Sequence, residues 1–247
     1  MKIIASYSNK GGVGKTACAV NLAYSLAQSG HRVLLCDLDP QGASGFYFRV
    51  RPSRGLTGKR FFTRAERISD AIRGSDFDNL DILPANMNFR DFDVFLSRMK
   101  RSQSRLGKAL RGVREEYDCV VLDCPPNIST LSEAVFRAAD AIVVPVIPTT
   151  LSERTFAQLL EFFKDHGLEK RKIRAFFSMA QGTKKLHGET MRRMRKDHAK
   201  RFLDVTIPAS TDVEKMGVHR APVGSFAPSH DAAKAYMTLS REVVKSL

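Results

Sequence analysis

The sequence has no tryptophan, only four cysteines and a shortage of acidic residues, 26 Asp and Glu against 40 Lys and Arg. Cys18, Cys36, Cys119 and Cys124 form no CxxC pair and have no histidine at zinc-ligand spacing. That argues against a zinc knuckle or a dithiol redox motif, and fits small buried thiols in a reducing compartment. No apolar run reaches the length needed to span a bilayer. Met1 to Ser8 is apolar but leads straight into a glycine-rich loop, so it reads as a β-strand and not as a secretory leader. A cytoplasmic protein is expected. The deficit of negative charge leaves a net +14, which points to a polyanionic partner, either nucleic acid or an acidic membrane surface.

What is present is a regular alternation of strands and helices. Apolar runs at Ile3–Ser8, Arg32–Cys36, Leu80–Leu83, Cys119–Leu122, Ala141–Val146 and Lys172–Met179 read as strands. Thr16–Gln28, Arg90–Val113, Leu151–His166, Gly188–Phe202 and Ala232–Val244 read as helices from their three- and four-residue spacings. This order implies an α/β fold: a mostly parallel, twisted sheet with helices on both faces. The 247 residues, 43% of them hydrophobic, suffice for one sizeable core, and a single domain over 1–247 is expected. The polar, basic stretch from Arg49 to Arg67 reads as a surface excursion.

The first strand, the segment Asn9-Lys10-Gly11-Gly12-Val13-Gly14-Lys15-Thr16 and the following helix together make a phosphate-binding loop. Its glycines let backbone N–H groups close around phosphates, and the helix adds its positive end. Lys15 supplies a point charge for the β- and γ-phosphates, and the Thr16 hydroxyl a ligand for Mg²⁺. Asp37 and Asp39 follow the second strand and Asp123 ends an apolar strand before Cys124-Pro125-Pro126. These are carboxylates at strand carboxyl ends, where ligands bind in open α/β sheets.

An ordinary phosphate loop carries glycine where this chain has Asn9, and Lys10 stands directly before the paired glycines. In this the sequence strongly resembles the deviant Walker A ATPases, the ParA/MinD superfamily, and most closely the small ParA-type partition and positioning proteins. Leu80-Asp-Ile-Leu-Pro-Ala85, Val143-Val-Pro-Val146, Thr206-Ile-Pro208 and Ala232-Ala-Lys-Ala-Tyr236 extend the likeness along nearly the whole chain. Ala17, where a second threonine is usual, and Thr149-Thr-Leu-Ser-Glu153, in place of a different glutamate-bearing loop, depart from it.

The resemblance implies a P-loop NTPase fold and slow, partner-stimulated ATP hydrolysis with ATP and Mg²⁺ as cofactors. Residues 10–17 would hold the phosphates, with Lys10 reaching across a face-to-face homodimer to the partner's nucleotide. Asp39 would position or activate the attacking water, Asp37 would support the Mg²⁺ shell, and Asp123 would hold Mg²⁺ through water. Met179 and the Pro208 loop would lie near the base.

Two basic stretches stand out. Lys164–Arg201 carries thirteen Lys and Arg against four Asp and Glu; Arg98–Arg114 carries seven basic residues and no acidic one, with Arg98, Arg101, Arg105 and Lys108 on one helical face by spacing. Two patches of one sign exceed what solubility requires, and favour non-specific contact with DNA phosphates. By the family likeness Lys184, Lys185, Arg192, Arg193, Arg195, Lys196 and Arg220 are the DNA-binding candidates, the location is the nucleoid, and the further partner is a ParB-like or cargo adaptor. Because the phosphate loop begins at residue 9, no helix-turn-helix is expected ahead of it. Two other readings are a MinD-like membrane-cycling ATPase and a metabolic ligase on the same scaffold. The terminal Arg241-Glu-Val-Val-Lys-Ser-Leu247 reads as a packed helix end, against the former; the basic surface argues against the latter.

Overall fold

In the computed structural model the strands assemble into one eight-stranded sheet. Residues 1–53, 55–63, 66–85 and 87–247 are described, without the side chains at 66, 67, 87 and 88. In chain order the strands are β1 (Lys2–Ser6), β2 (Val33–Asp37), β3 (Arg73–Gly74), β4 (Leu80–Leu83), β5 (Cys119–Asp123), β6 (Ala141–Val146), β7 (Ile173–Ala180) and β8 (Phe202–Pro208). Their spatial order is β3-β4-β2-β5-β1-β6-β7-β8, and every pairing is parallel except the short antiparallel β3–β4 edge.

Strand alternation divides the core in two. Ile3, Ala5, Leu34, Cys36, Val120 and Leu122 point to one face, where the Thr130–Ala138, Thr150–Asp165 and Lys185–Asp197 helices pack. Ile4, Val33, Leu35, Cys119 and Val121 point to the other, beneath the Lys15–Gln28 and Asp231–Lys245 helices. The four cysteines are free and buried within these layers.

Three expectations need correction. Arg90–Val113 is not one helix. It breaks into helices at Phe92–Ser97 and Arg105–Leu110, because Arg101 takes a left-handed conformation (φ 56°) that a continuing helix excludes. The apolar spacing survives, since Phe92, Leu96, Leu106 and Leu110 are all buried, but the face shared by Arg98, Arg101, Arg105 and Lys108 does not. The Gly188–Phe202 helix runs instead from Lys185 to Asp197, and Phe202 opens β8, an edge strand whose Phe202, Val205 and Ile207 are buried. The Arg49–Arg67 stretch is no mere surface excursion: Leu56, Phe61 and Phe62 are buried, and Phe61 and Phe62 pack on Phe92 with ring centroids 5.1 and 4.9 Å away. Positions 54, 64 and 65 of it lie outside the described residues.

From β1 the chain passes to β2 on one side, and from β6 to β7 on the other. The carboxyl ends of this adjacent pair therefore form the switch point at which open α/β sheets bind ligands.

Candidate nucleotide site

Residues 7–14 form the loop between β1 and the Lys15–Gln28 helix. Gly12 and Gly14 take positive φ (71° and 91°), and a Cβ on Gly14 would also come within 3.2 Å of Ser178 Oγ, so side chains are excluded there on two counts. Val13 is buried and anchors the loop, and Ser6 Oγ donates to the Lys15 carbonyl at 2.9 Å.

The loop's two lysines go to different places. Lys15 is buried, and its Nζ lies 3.4 Å from the Lys10 carbonyl, inside the loop's own curve. Burial lowers the Lys15 pKa, opposed by the negative charges of Asp123 and Asp39. Lys10 extends outward, its Nζ donating to Ser152 Oγ at 3.3 Å in the first turn of the Thr150–Asp165 helix, which Thr149 caps.

Sheet register brings the carboxylates together. Asp123 of β5 is paired with Ser6 of β1 on one side and with Asp37 of β2 on the other. Asp37 Oδ1 accepts from the Asp39 amide at 3.0 Å and Oδ2 from the Ser44 amide at 3.1 Å. Burial, reinforced by the charge of Asp123, raises the Asp37 pKa well above the carboxylate range. Asp123 is pushed up to about 6, chiefly by burial, while the Ser44 and Thr16 hydroxyls and the charge of Lys15 favour its ionised form against the charge of Asp39. Its Oδ2 accepts from Ser44 Oγ at 2.8 Å, whereas Oδ1 is buried with no hydrogen-bond partner. Asp39 is half-buried in the turn, its Oδ1 accepting from the Gln41 amide at 3.0 Å.

An orphaned buried carboxylate oxygen beside a threonine hydroxyl and a lysine is a donor set suited to a hard cation and anionic phosphates. No group of three His, Cys, Asp or Glu ligands gathers among the described residues. Mg²⁺ does not need one, because it takes one or two protein oxygens and completes its shell with phosphate and water.

On the other side of the loop lie two adjoining cavities of about 180 and 310 Å³. Gly14, Ala17, Met179, Val213 and Glu214 line both; Pro208 and Gln181 line the first, and Thr16 and Tyr47 the second. The structure thus brings Met179 and Pro208 to one cavity beside the loop. Sequence reasoning did not single out Ser44, Ser178, Gln181 or Glu214. Ser178 and Gln181 lie at or just beyond the carboxyl end of β7, so the rule applied to the aspartates would have reached them; Glu214 ends the short Thr211–Glu214 helix that follows β8.

The basic candidates do not form one free surface. Among the described residues Lys184, Arg192 and Lys196 are exposed and make no ion pair. Lys185 pairs with Glu189 at 3.8 Å. Arg193 donates to both carboxylate oxygens of Glu153, at 2.9 and 2.6 Å. Arg195 is half-buried, donating to the Asp204 carbonyl at 2.7 Å with its guanidinium 5.3 Å from the Phe177 ring centre. Arg220 donates to the Phe46 carbonyl and lies over the Phe46 ring.

A family model described as an AAA domain (AAA_31) matches residues 1–174. The chain belongs to the ParA/MinD family of ATPases. Among ParA-type relatives, the sporulation initiation inhibitor protein Soj of Bacillus subtilis is 29% identical, over 98% of each chain. The chromosome partitioning protein ParA of Caulobacter vibrioides is 28% identical, over 99% of this chain and 94% of that protein. An ATP complex of Cyanothece McdA has a TM-score of 0.85 at 20% identity, covering 99% of this chain and 96% of its own, a likeness of fold. As a ParA/MinD-family member the protein is an ATPase, and no helix among its described residues is long and apolar enough to cross a membrane.

Proposed function

We propose that this ATPase is a partition or positioning switch of one domain, in which ATP binding makes a face-to-face homodimer that holds DNA non-specifically. A cargo-bound adaptor then stimulates hydrolysis and releases the dimer from the nucleoid. The observation that carries the reading is the divergence of the two loop lysines. Lys15 lies inside the loop, where it serves the chain's own β- and γ-phosphates, while Lys10 turns away from it to Ser152 of the Thr150–Asp165 helix. A lysine engaged away from its own loop's interior supports a role at the nucleotide of a second copy.

Residues 10–17 bind the phosphates, and Met179 and Pro208 border the base. Mg²⁺ would be held by Thr16 and, through water, by Asp123, with Asp37 supporting that shell, and would supply charge neutralisation at the phosphates. Asp39, half-buried in the turn beside this group, positions the attacking water. Of the basic candidates, Lys184, Arg192 and Lys196, which make no ion pair among the described residues, offer free cations to DNA phosphates. Lys185, Arg193, Arg195 and Arg220 join them only by leaving the partners they have here.

A MinD-like membrane cycle is the second reading, and the packing of the Asp231–Lys245 helix weighs against it. Ala232, Tyr236, Leu239 and Val243 are buried against the sheet and the Lys15–Gln28 helix, which leaves that face unavailable to a bilayer.

The test is binding to random-sequence duplex DNA with ADP, ATP and a non-hydrolysable analogue across a salt series. ATP-dependent binding that weakens steeply with salt is expected. Binding indifferent to nucleotide would sink the link between switch and DNA.

A further inference from the structure

At the end of the sheet opposite the phosphate loop, the amino ends of the central strands β1 and β6 border a groove of about 710 Å³. Met1, Ile3, Gly107 and Ala138 supply apolar lining, and four arginines, Arg101, Arg111, Arg114 and Arg137, also line it. Two carboxylates at the groove rest on neutral donors: Asp140 Oδ2 accepts from the Ile3 amide at 2.8 Å, and Glu133, beside the groove, accepts from Gln103 at 3.2 Å. Arg137 donates to the His166 carbonyl at 3.3 Å. Arg101, Arg111 and Arg114 are exposed and have no ion-pair or hydrogen-bond partner for their guanidinium groups among the described residues. Arg101 is held in its left-handed conformation by Ser104, whose amide and hydroxyl both donate to its carbonyl at 3.1 Å. A strained residue pinned this firmly while its cation is left unpaired is a feature that binding sites accumulate.

We propose that this groove docks an acidic peptide segment of a partner protein, with an apolar side chain on the Ile3–Ala138 lining and flanking carboxylates on Arg101, Arg111 and Arg114. Guanidinium forks match carboxylates, and an apolar centre rimmed by arginines is the usual anatomy of a peptide-binding interface. The apolar floor favours a peptide over DNA, because a duplex held through its phosphates has no apolar side chain to fill the recess. The location has a consequence. Lying at the opposite ends of the strands from Lys15, the groove stays open whether or not two nucleotide faces meet, so docking is independent of ATP. This inference does not rest on the DNA-binding reading.

The experiment selects from a random peptide library on the full chain, with ADP and with ATP, and then titrates a labelled enriched peptide. Enrichment of Asp and Glu around Leu, Ile or Phe is expected, with affinities in ADP and ATP agreeing within about twofold. R111E/R114E, two exposed positions, should weaken the peptide at least about tenfold, while R98E, in the same basic stretch but outside the groove, should not. Enriched peptides without acidic residues, or full affinity in R111E/R114E, would overturn the proposal. So would loss of duplex DNA binding in R111E/R114E with peptide binding intact, which would make the groove a nucleic-acid surface.

Discussion

Asp37 and Asp123 stand opposite one another on parallel neighbouring strands, and Ser44 ties them together through its amide to the first and its hydroxyl to the second. Two buried carboxylates in register are costly to ionise side by side, and the sheet holds them there before any ligand arrives.

The cost makes a prediction about stability. The folded-state pKa of Asp123, about 6, lies above its ordinary 3.8, so the native state holds this proton more tightly than the unfolded chain does. Its contribution to stability therefore declines as pH rises from about 4 through 6, and the full penalty, at most on the order of 3 kcal/mol, applies above that. Without nucleotide or metal, Asp123→Asn should unfold at a higher temperature than wild type at pH 7.5, with the difference shrinking toward pH 4.5. A lower melting temperature at pH 7.5 would show that the carboxylate is stabilised by something other than its visible neighbours.

The two loop lysines should separate binding from switching. Lys15→Ala should weaken ATP at least about tenfold in calorimetry, because a buried charge facing the phosphates is lost. Lys10→Ala should keep ATP affinity within a few-fold yet fail to dimerise with a non-hydrolysable analogue, as read by light scattering. Normal dimers in Lys10→Ala would confine that lysine to holding Ser152.

Asp39→Ala should bind ATP and hydrolyse it about a hundredfold more slowly, the usual loss when a group that positions or activates water is removed. With the chemistry slowed, the ATP-bound dimer should persist for hours by size-exclusion chromatography. Turnover at the wild-type rate would remove Asp39 from the reaction.

Glu153 follows Ser152, the partner of Lys10, and its carboxylate grips Arg193 of the basic helix; Arg193 in turn holds the Glu153 pKa below the usual range. Glu153→Gln should loosen this hold and tighten DNA binding in the ADP state roughly threefold to tenfold, with a steeper salt dependence from one more phosphate contact. An unchanged salt slope would mean that Arg193 never reaches DNA.

Local pattern carried the phosphate loop, the parallel α/β architecture and the placement of Asp37 and Asp123 at strand ends. Each depends on residues close in the chain: glycines that a tight loop requires, runs of apolar residues, a polar group where a strand stops. The same reasoning failed where a local rule met a tertiary constraint. The spacing over Arg90–Val113 is helical, yet Arg101 breaks it, and Phe202, which the spacing places at the end of a helix, instead opens a strand paired along β7.

The sequence by itself determined which chemistry the chain carries, because the glycine-rich loop, its lysines and the aspartates are fixed by composition and spacing. Only the tertiary structure decided which of these groups face one another. Strand order set Asp37 against Asp123 and placed Ser44 between them, packing of the Thr150–Asp165 and Lys185–Asp197 helices closed Glu153 on Arg193, and the end of the sheet opposite the loop set Arg137 beside the arginines at 101, 111 and 114. Contacts of that range depend on how whole elements stack, which no short window of sequence encodes.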